Sequence, residues 1–167
     1  MNKRIFLCGL PGTGKSTFGR WLRDHRGFVY VDLEAEPDKP DSLDATAFRE
    51  PWEAFVQGDR AELVRSANLR SVVFDWGFPV SHLSLVRELI AIGFVPWWFD
   101  GDRLVARQHF VCRNTVSVEK FDIQSANISA AWATLLPSVG DRIVKAARTD
   151  GSLMGPEDIA AVVFGDV

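Results

Sequence analysis

Residues 9–17 read Gly-Leu-Pro-Gly-Thr-Gly-Lys-Ser-Thr. A glycine, four residues and then Gly-Lys-Ser is the pattern of a phosphate-binding loop when it follows a strand and opens a helix. Both neighbours fit. Ile5 to Cys8 is a continuous apolar run, as expected of a central parallel strand covered on both faces. Lys15 to His25 carries Phe18, Trp21 and Leu22 at helical spacing, and Gly27 sits where a C-terminal cap belongs. Gly9, Gly12 and Gly14, with Pro11 and Thr13 between them, let successive backbone amides turn inward on an anion, and the helix behind aims its positive end at the same place. Lys15 adds a point charge between terminal phosphates. Ser16 offers a hard oxygen to magnesium, and Thr17 is placed to contact an inner phosphate.

Outward from this loop, short apolar runs alternate with helical patterns. Phe28 to Val31 ends in Asp32, Leu33 and Glu34; Ser71 to Phe74 ends in Asp75; Phe94 to Phe99 ends in Asp100; Arg142 to Ala146 offers a fifth strand. Pro96 cannot donate a ladder bond, which predicts a bulge or a shortened fourth strand. Helical spacing marks 46–57, 59–68, 81–92, 102–112, 120–136 and 156–163. The alternation predicts an α/β three-layer sandwich of the P-loop NTPase kind, a five-stranded, mainly parallel sheet flanked by helices, with ligands at the carboxyl ends of the strands. The chain is expected to be one domain over 1–167, with an acceptor-side flap over about 33–68 and a lid over about 102–119.

Composition agrees with a compact domain and narrows its partners. Of 167 residues, 47% are hydrophobic and 25% charged, with a formal net charge of -3 and no run of Lys or Arg, which argues against bulk nucleic acid as a partner. No apolar stretch reaches the roughly 18 residues that span a bilayer. Cys8 and Cys112 have neither metal-ligand spacing nor a partner cluster, and His25, His82 and His109 are scattered, so a cytoplasmic protein with reduced thiols and no zinc or iron site is expected.

The guanine-specifying Asn-Lys-x-Asp signature is missing, so ATP is the expected nucleotide. Asp75 fits a position that holds magnesium through water after Val72-Val73-Phe74. Trp76 follows it, where motor-type ATPases carry a second carboxylate that orients an attacking water. That departure favours transfer to a bound acceptor over hydrolysis.

The order of these features resembles the small P-loop kinases: shikimate and gluconate kinases, with the broader zeta-toxin-like, chloramphenicol-phosphotransferase-like and polynucleotide-kinase-like group. The specific part is Gly9 to Thr17; Asp32, Asp75 and the helix 102–113 with its arginines are weaker matches. The resemblance implies that Asp32 contacts an acceptor hydroxyl and takes its proton, a role a carboxylate can fill; a turn or helix cap is the plainer alternative. Arg103, Arg107 and Arg113 cluster where a lid would bring guanidinium groups to the transferring phosphoryl, or else form a solvated face. Arg148, in the loop after the fifth strand, matches by position a loop that packs beside adenine. Glu34 and Trp76 are candidate acceptor contacts, while Trp97 and Trp98 point to opposite strand faces and are expected in the core. The expected activity is transfer of the terminal phosphate of MgATP to a hydroxyl of a small-molecule or nucleotide-like acceptor. A nucleotide-dependent switch and a slow ATPase are the alternatives.

Overall fold

The computed structural model describes residues 2–34, 43–77, 80–112 and 117–165. Five strands, β1 (Arg4–Gly9), β2 (Val29–Asp32), β3 (Val72–Asp75), β4 (Val95–Gly101) and β5 (Ile143–Ala147), form one sheet in the order β2-β3-β1-β4-β5. Every pairing is parallel. The sheet is therefore wholly parallel, and the apolar character of its inner strands β1 and β3 fits cover on both faces.

Helices α1 (Lys15–Arg26) and α8 (Pro156–Phe164) lie on one face, packing Phe18, Leu22, Ile159 and Ala160 against Ile5, Leu7, Tyr30, Val73, Phe99 and Val144. On the other face, α3 (Arg49–Val56), α4 (Ala61–Leu69), α5 (Leu83–Ala91) and α7 (Val118–Val139) cover Phe6, Val31, Phe74 and Trp98. A four-residue turn of helix, α2 (Leu43–Thr46), precedes α3, and α6 (Arg103–Val111) lies beyond the carboxyl end of β4. Trp97 and Trp98 divide between the two faces, as strand alternation demands.

The expectation for Pro96 is corrected. The strand runs unbroken through it, with Pro96 opposite Phe6 of β1, and the register irregularity falls at Asp100 and Gly101 instead. The Trp98 amide donates toward the β5 side, to Arg142 at 2.8 Å. An amide two residues earlier would point the same way, but β5 begins only opposite Trp98. The ladder has no acceptor for Pro96 to miss.

Parallel pairing aligns the strand ends. Asp32 stands opposite Asp75 on β2 and β3, and Asp75 opposite Leu7 on β1. The carboxylates ending these runs thus come to one edge, beside the loop after β1. One residue of α1 shows how closely the layers meet there: a Cβ on Gly19 would lie 2.3 Å from the ring of Tyr30, which is fully buried. Gly19→Ala is expected to lower stability by ~1–3 kcal/mol through overpacking, read as a reduced urea midpoint with unchanged slope.

Candidate active site

The loop between β1 and α1 is wedged into the structure. A Cβ on Gly9 would lie 2.2 Å from the carbonyl oxygen of Phe99, and one on Gly12 would lie 2.1 Å from that of Ala106 in α6. Gly14 is the N-cap of α1, with φ of 88° in the left-handed region that favours glycine. Thr13 turns its hydroxyl inward, donating to the Leu10 carbonyl at 2.7 Å. The amides of Gly12, Thr13 and Gly14 donate to no acceptor among the described residues, which is the arrangement of an anion-binding nest at a helix N-terminus. Lys15 is buried, and its Nζ donates to Gly9 O at 3.3 Å and Leu10 O at 3.0 Å.

These groups open on a cavity of about 430 Å³. Gly9, Pro11, Gly12, Lys15 and Ser16 line its loop side; Asp32, Glu34, Asp75 and Gly77 line it from β2 and β3; Phe110, Lys120 and Gln124 close it from α6 and α7. Asp32 also holds its own turn, its Oδ1 accepting the Glu34 amide at 2.9 Å. The Glu34 carboxyl accepts the Gly77 amide. Burial raises its pKa above the ordinary value, and Asp75 and Asp32 add to this while Lys15 and the Gly77 amide oppose it.

Asp75 is buried, and Tyr30 Oη donates to its Oδ2 at 3.0 Å. The Ser16 hydroxyl donates to the same Tyr30 oxygen. Burial, reinforced by the Asp75 and Asp32 charges, pushes the Tyr30 pKa far up, so this phenol stays a protonated donor. Tyr30 therefore bridges the two residues expected at a magnesium ion. Sequence reading counted it only as part of an apolar run.

The remaining expected site residues fall elsewhere. Arg103 donates to Ser125 O at 3.1 Å, Ser125 Oγ at 2.8 Å and Ser129 Oγ at 2.6 Å, fastening α6 to α7. Arg107 pairs with Asp122 at 3.0 Å on the surface. Neither lines the cavity; the cation that α6 and α7 bring there is Lys120. The physical reason is that α7 supplies both arginines with acceptors of its own, which a count of charges along α6 does not reveal. Arg113 lies outside the described residues. Arg148 pairs with Asp158 at 3.0 Å, and its loop reaches the N-terminal end of α1, with Leu153 3.8 Å from a Cβ on Gly14. Trp76 packs among Phe6, Trp52 and His82 and lines neither this cavity nor the adjoining one, whereas Trp98 lines the latter. Cys8 and Cys112 are free thiols, and burial pushes the Cys8 pKa well up. Among the described residues no helix is long and apolar enough to cross a membrane.

No protein-family model matches the chain. A stretch of 56 residues is 36% identical to a shikimate kinase of Persephonella marina, covering 33% of this chain and 34% of that protein. Over nearly the whole chain the fold matches solved structures. A shikimate kinase from Acinetobacter baumannii, in complex with shikimate, superposes with a TM-score of 0.58 at 17% identity, covering 99% of this chain and 95% of the other. A gluconokinase from Sinorhizobium meliloti 1021 gives 0.54 at 16% identity, covering 98% and 90%. Shikimate kinase from Bacteroides thetaiotaomicron gives 0.52 at 16%, covering 96% and 94%. The chain has the fold of the small P-loop kinases of shikimate and gluconate type.

Because Asp75 is buried and held by one phenol, Tyr30→Phe is expected to cost ~1–3 kcal/mol of stability. Chemical denaturation checks this, and the effect should be separable from Gly19→Ala, which disturbs the ring and not the hydroxyl.

Proposed function

We propose that this protein is an ATP-dependent small-molecule kinase that transfers the terminal phosphate of MgATP to an acceptor hydroxyl. The observation that carries this reading is the single cavity in which a glycine loop, Lys15, Ser16 and Lys120 face Asp32, Glu34 and Asp75. The loop with Lys15, and Lys120 from α7, suit a polyphosphate; the carboxylates from the ends of β2 and β3 suit a metal and a hydroxyl proton. The partial likeness to a shikimate kinase sequence and the shared fold support the same class.

In this reading the amides of Gly12 to Gly14 and Ser16 cradle the phosphates, with Lys15 leaving its carbonyl partners to lie between the terminal two. Thr17 stands behind Ser16 at an inner phosphate. Ser16 and Asp75 would hold magnesium, as hard oxygen donors of the kind it prefers. Magnesium, when bound, neutralises phosphate charge. Ser16 can face it with lone pairs because its proton is given to Tyr30. The loop at Arg148 packs beside the base, with ATP the expected nucleotide.

Transfer forms a bond from the acceptor oxygen to the γ-phosphorus as the bond to the β,γ-bridging oxygen breaks, and ADP leaves with that electron pair. The acceptor proton passes to a carboxylate. Asp32 was the first candidate from the sequence, but Glu34 lies at the junction of this cavity and the next. We assign the proton to Glu34 and the turn that presents it to Asp32. Lys120 meets the charge on the transferring group. Of the flap expected over 33–68 and the lid expected over 102–119, residues 35–42 and 113–116 lie outside the described residues; within the rest, α3 and α4 belong to the core and α6 is fastened to α7.

Calorimetric titration with MgATP, followed by ADP release with and without a small-molecule pool, tests the reading. Stimulation by the pool is expected. Acceptor-independent turnover would make the protein an ATPase, and tight binding with no turnover a switch. Lys15→Ala and Lys120→Ala are each expected to lower turnover by about 10²–10³-fold. Glu34→Gln should leave MgATP affinity unchanged while turnover falls. The base works only when deprotonated, so wild-type turnover should decline as pH falls, with its acid limb above the ordinary carboxylate range; this limb should be missing from the residual activity of Glu34→Gln. A limb that persists in Glu34→Gln returns the base role to Asp32.

A further inference from the structure

A second cavity, of about 350 Å³, adjoins the first and shares Gly9, Pro11, Glu34, Gly77 and Gln124 with it. Its size is that of a small-molecule site. Both cavities take part of their wall from one face of α7, along which Lys120, Gln124, Asn127, Ile128 and Leu135 recur at helical spacing. The chemistry changes along that face. Lys120 stands at the phosphate cavity, Gln124 at the junction, Asn127 and Ile128 in the second cavity, and Leu135 at its far end.

Among the described residues the cations stop at the junction. Lys15 and Lys120 belong to the first cavity; among the described residues of the second, Glu34 is the one ionisable side chain. Its other polar groups are the carboxamides of Gln124 and Asn127 and the hydroxyl of Ser81, and Val80, Trp98, Ile128 and Leu135 make its apolar wall. A carboxylate or phosphate docked there would sit beside Glu34 with no cation from this lining. An anion taken from water without a partner is strongly disfavoured, and a like charge nearby adds to the penalty. Carboxamides both donate and accept, and so pair with hydroxyls, amines and amides.

Resting on the kinase reading above, we infer that the acceptor is a hydroxyl compound with an apolar skeleton and no anionic group. Its reacting hydroxyl meets Glu34 at the junction, its polar edge meets Gln124 and Asn127, and its skeleton lies on Trp98 and Ile128. This separates the chain from its structural neighbours, one of which is bound to shikimate, an acid.

The test uses the full chain at saturating MgATP. A bacterial small-molecule extract is passed over an anion exchanger, and the unretained material is then divided on a cation exchanger. Each fraction is assayed for stimulated ADP release. Stimulation is expected in material the anion exchanger does not retain, exceeding that in the retained fraction at least about tenfold, the ratio corresponding to 1.4 kcal/mol. The cation exchanger tells an amine-bearing acceptor from an uncharged one, and either supports the inference. Stimulation confined to the anion-retained fraction overturns it and leaves the kinase reading standing. No stimulation by any fraction, with MgATP bound, overturns the kinase reading and this inference together. A variant locates the effect: Asn127 is an exposed helix residue, and Asn127→Arg should shift the ratio toward the retained fraction by about tenfold. A ratio that does not move removes the acceptor from this cavity.

Discussion

The main chain of the glycine loop has no spare room, and the rest of the site is arranged around that fact. Gly9 lies against Phe99 of β4 and Gly12 against Ala106 of α6, at distances no side chain would allow. The contact fixes the path of the loop, which brings Gly9, Pro11 and Gly12 to the cavity wall. It also brings α6 to the site. From α6 the contacts run on: Arg103 binds Ser125 and Ser129, and Phe110 packs on Phe121 at 5.6 Å, so α7 is held with Lys120 and Gln124 at the cavity wall. A short run of glycines thus positions side chains more than a hundred residues later.

The parts of this arrangement written locally were legible from the sequence. The inner strands appear as apolar runs because a parallel sheet is covered on both faces, and Asp32 and Asp75 mark the carboxyl ends of two of those runs. The loop is legible because its residues are consecutive. What escaped was pairwise. Periodicity gives no partner for a strand, so the β2-β3-β1-β4-β5 order, and with it the harmlessness of Pro96 where β5 has not begun, belongs to the structure alone. Tyr30 reads as one more apolar residue until Asp75, 45 positions away, is placed on its hydroxyl. Arg103 and Arg107 read as a cationic cluster until α7 provides Ser125 and Asp122. Lys120, Gln124 and Asn127 fall in the helical stretch expected over 120–136, but spacing alone does not say which face of a helix meets a cavity.

The charges of the site are sorted by their partners. Four groups with strong electrostatic demands, Lys15, Asp32, Glu34 and Asp75, share one cavity. Lys15 is taken up by loop carbonyls, Asp32 by the Glu34 amide, and Asp75 by Tyr30. Each of these contacts leaves the group in place while holding it away from its neighbours. Tyr30 matters most here, because a carboxylate as buried as Asp75 needs a hydrogen-bond donor. The phenol provides one, and accepting the Ser16 proton couples the loop helix to β3 through a neutral link.

Asp32 and Glu34 show how two carboxylates two residues apart can take different work. Asp32 is the shorter side chain and ends β2, and its Oδ1 closes on the Glu34 amide, a use that fixes backbone. Glu34 follows that turn with one more methylene, reaching the boundary that both cavities share and accepting the Gly77 amide there. Its environment raises its affinity for a proton; that of a solvated surface carboxylate would not. A carboxylate that holds a turn gains from staying ionised, whereas one that receives a proton during a reaction gains from a pKa nearer neutrality. In the proposed reaction these properties divide between the two residues, and the division follows from the turn itself: the closure at Asp32 carries the longer side chain of Glu34 to the boundary that the two cavities share.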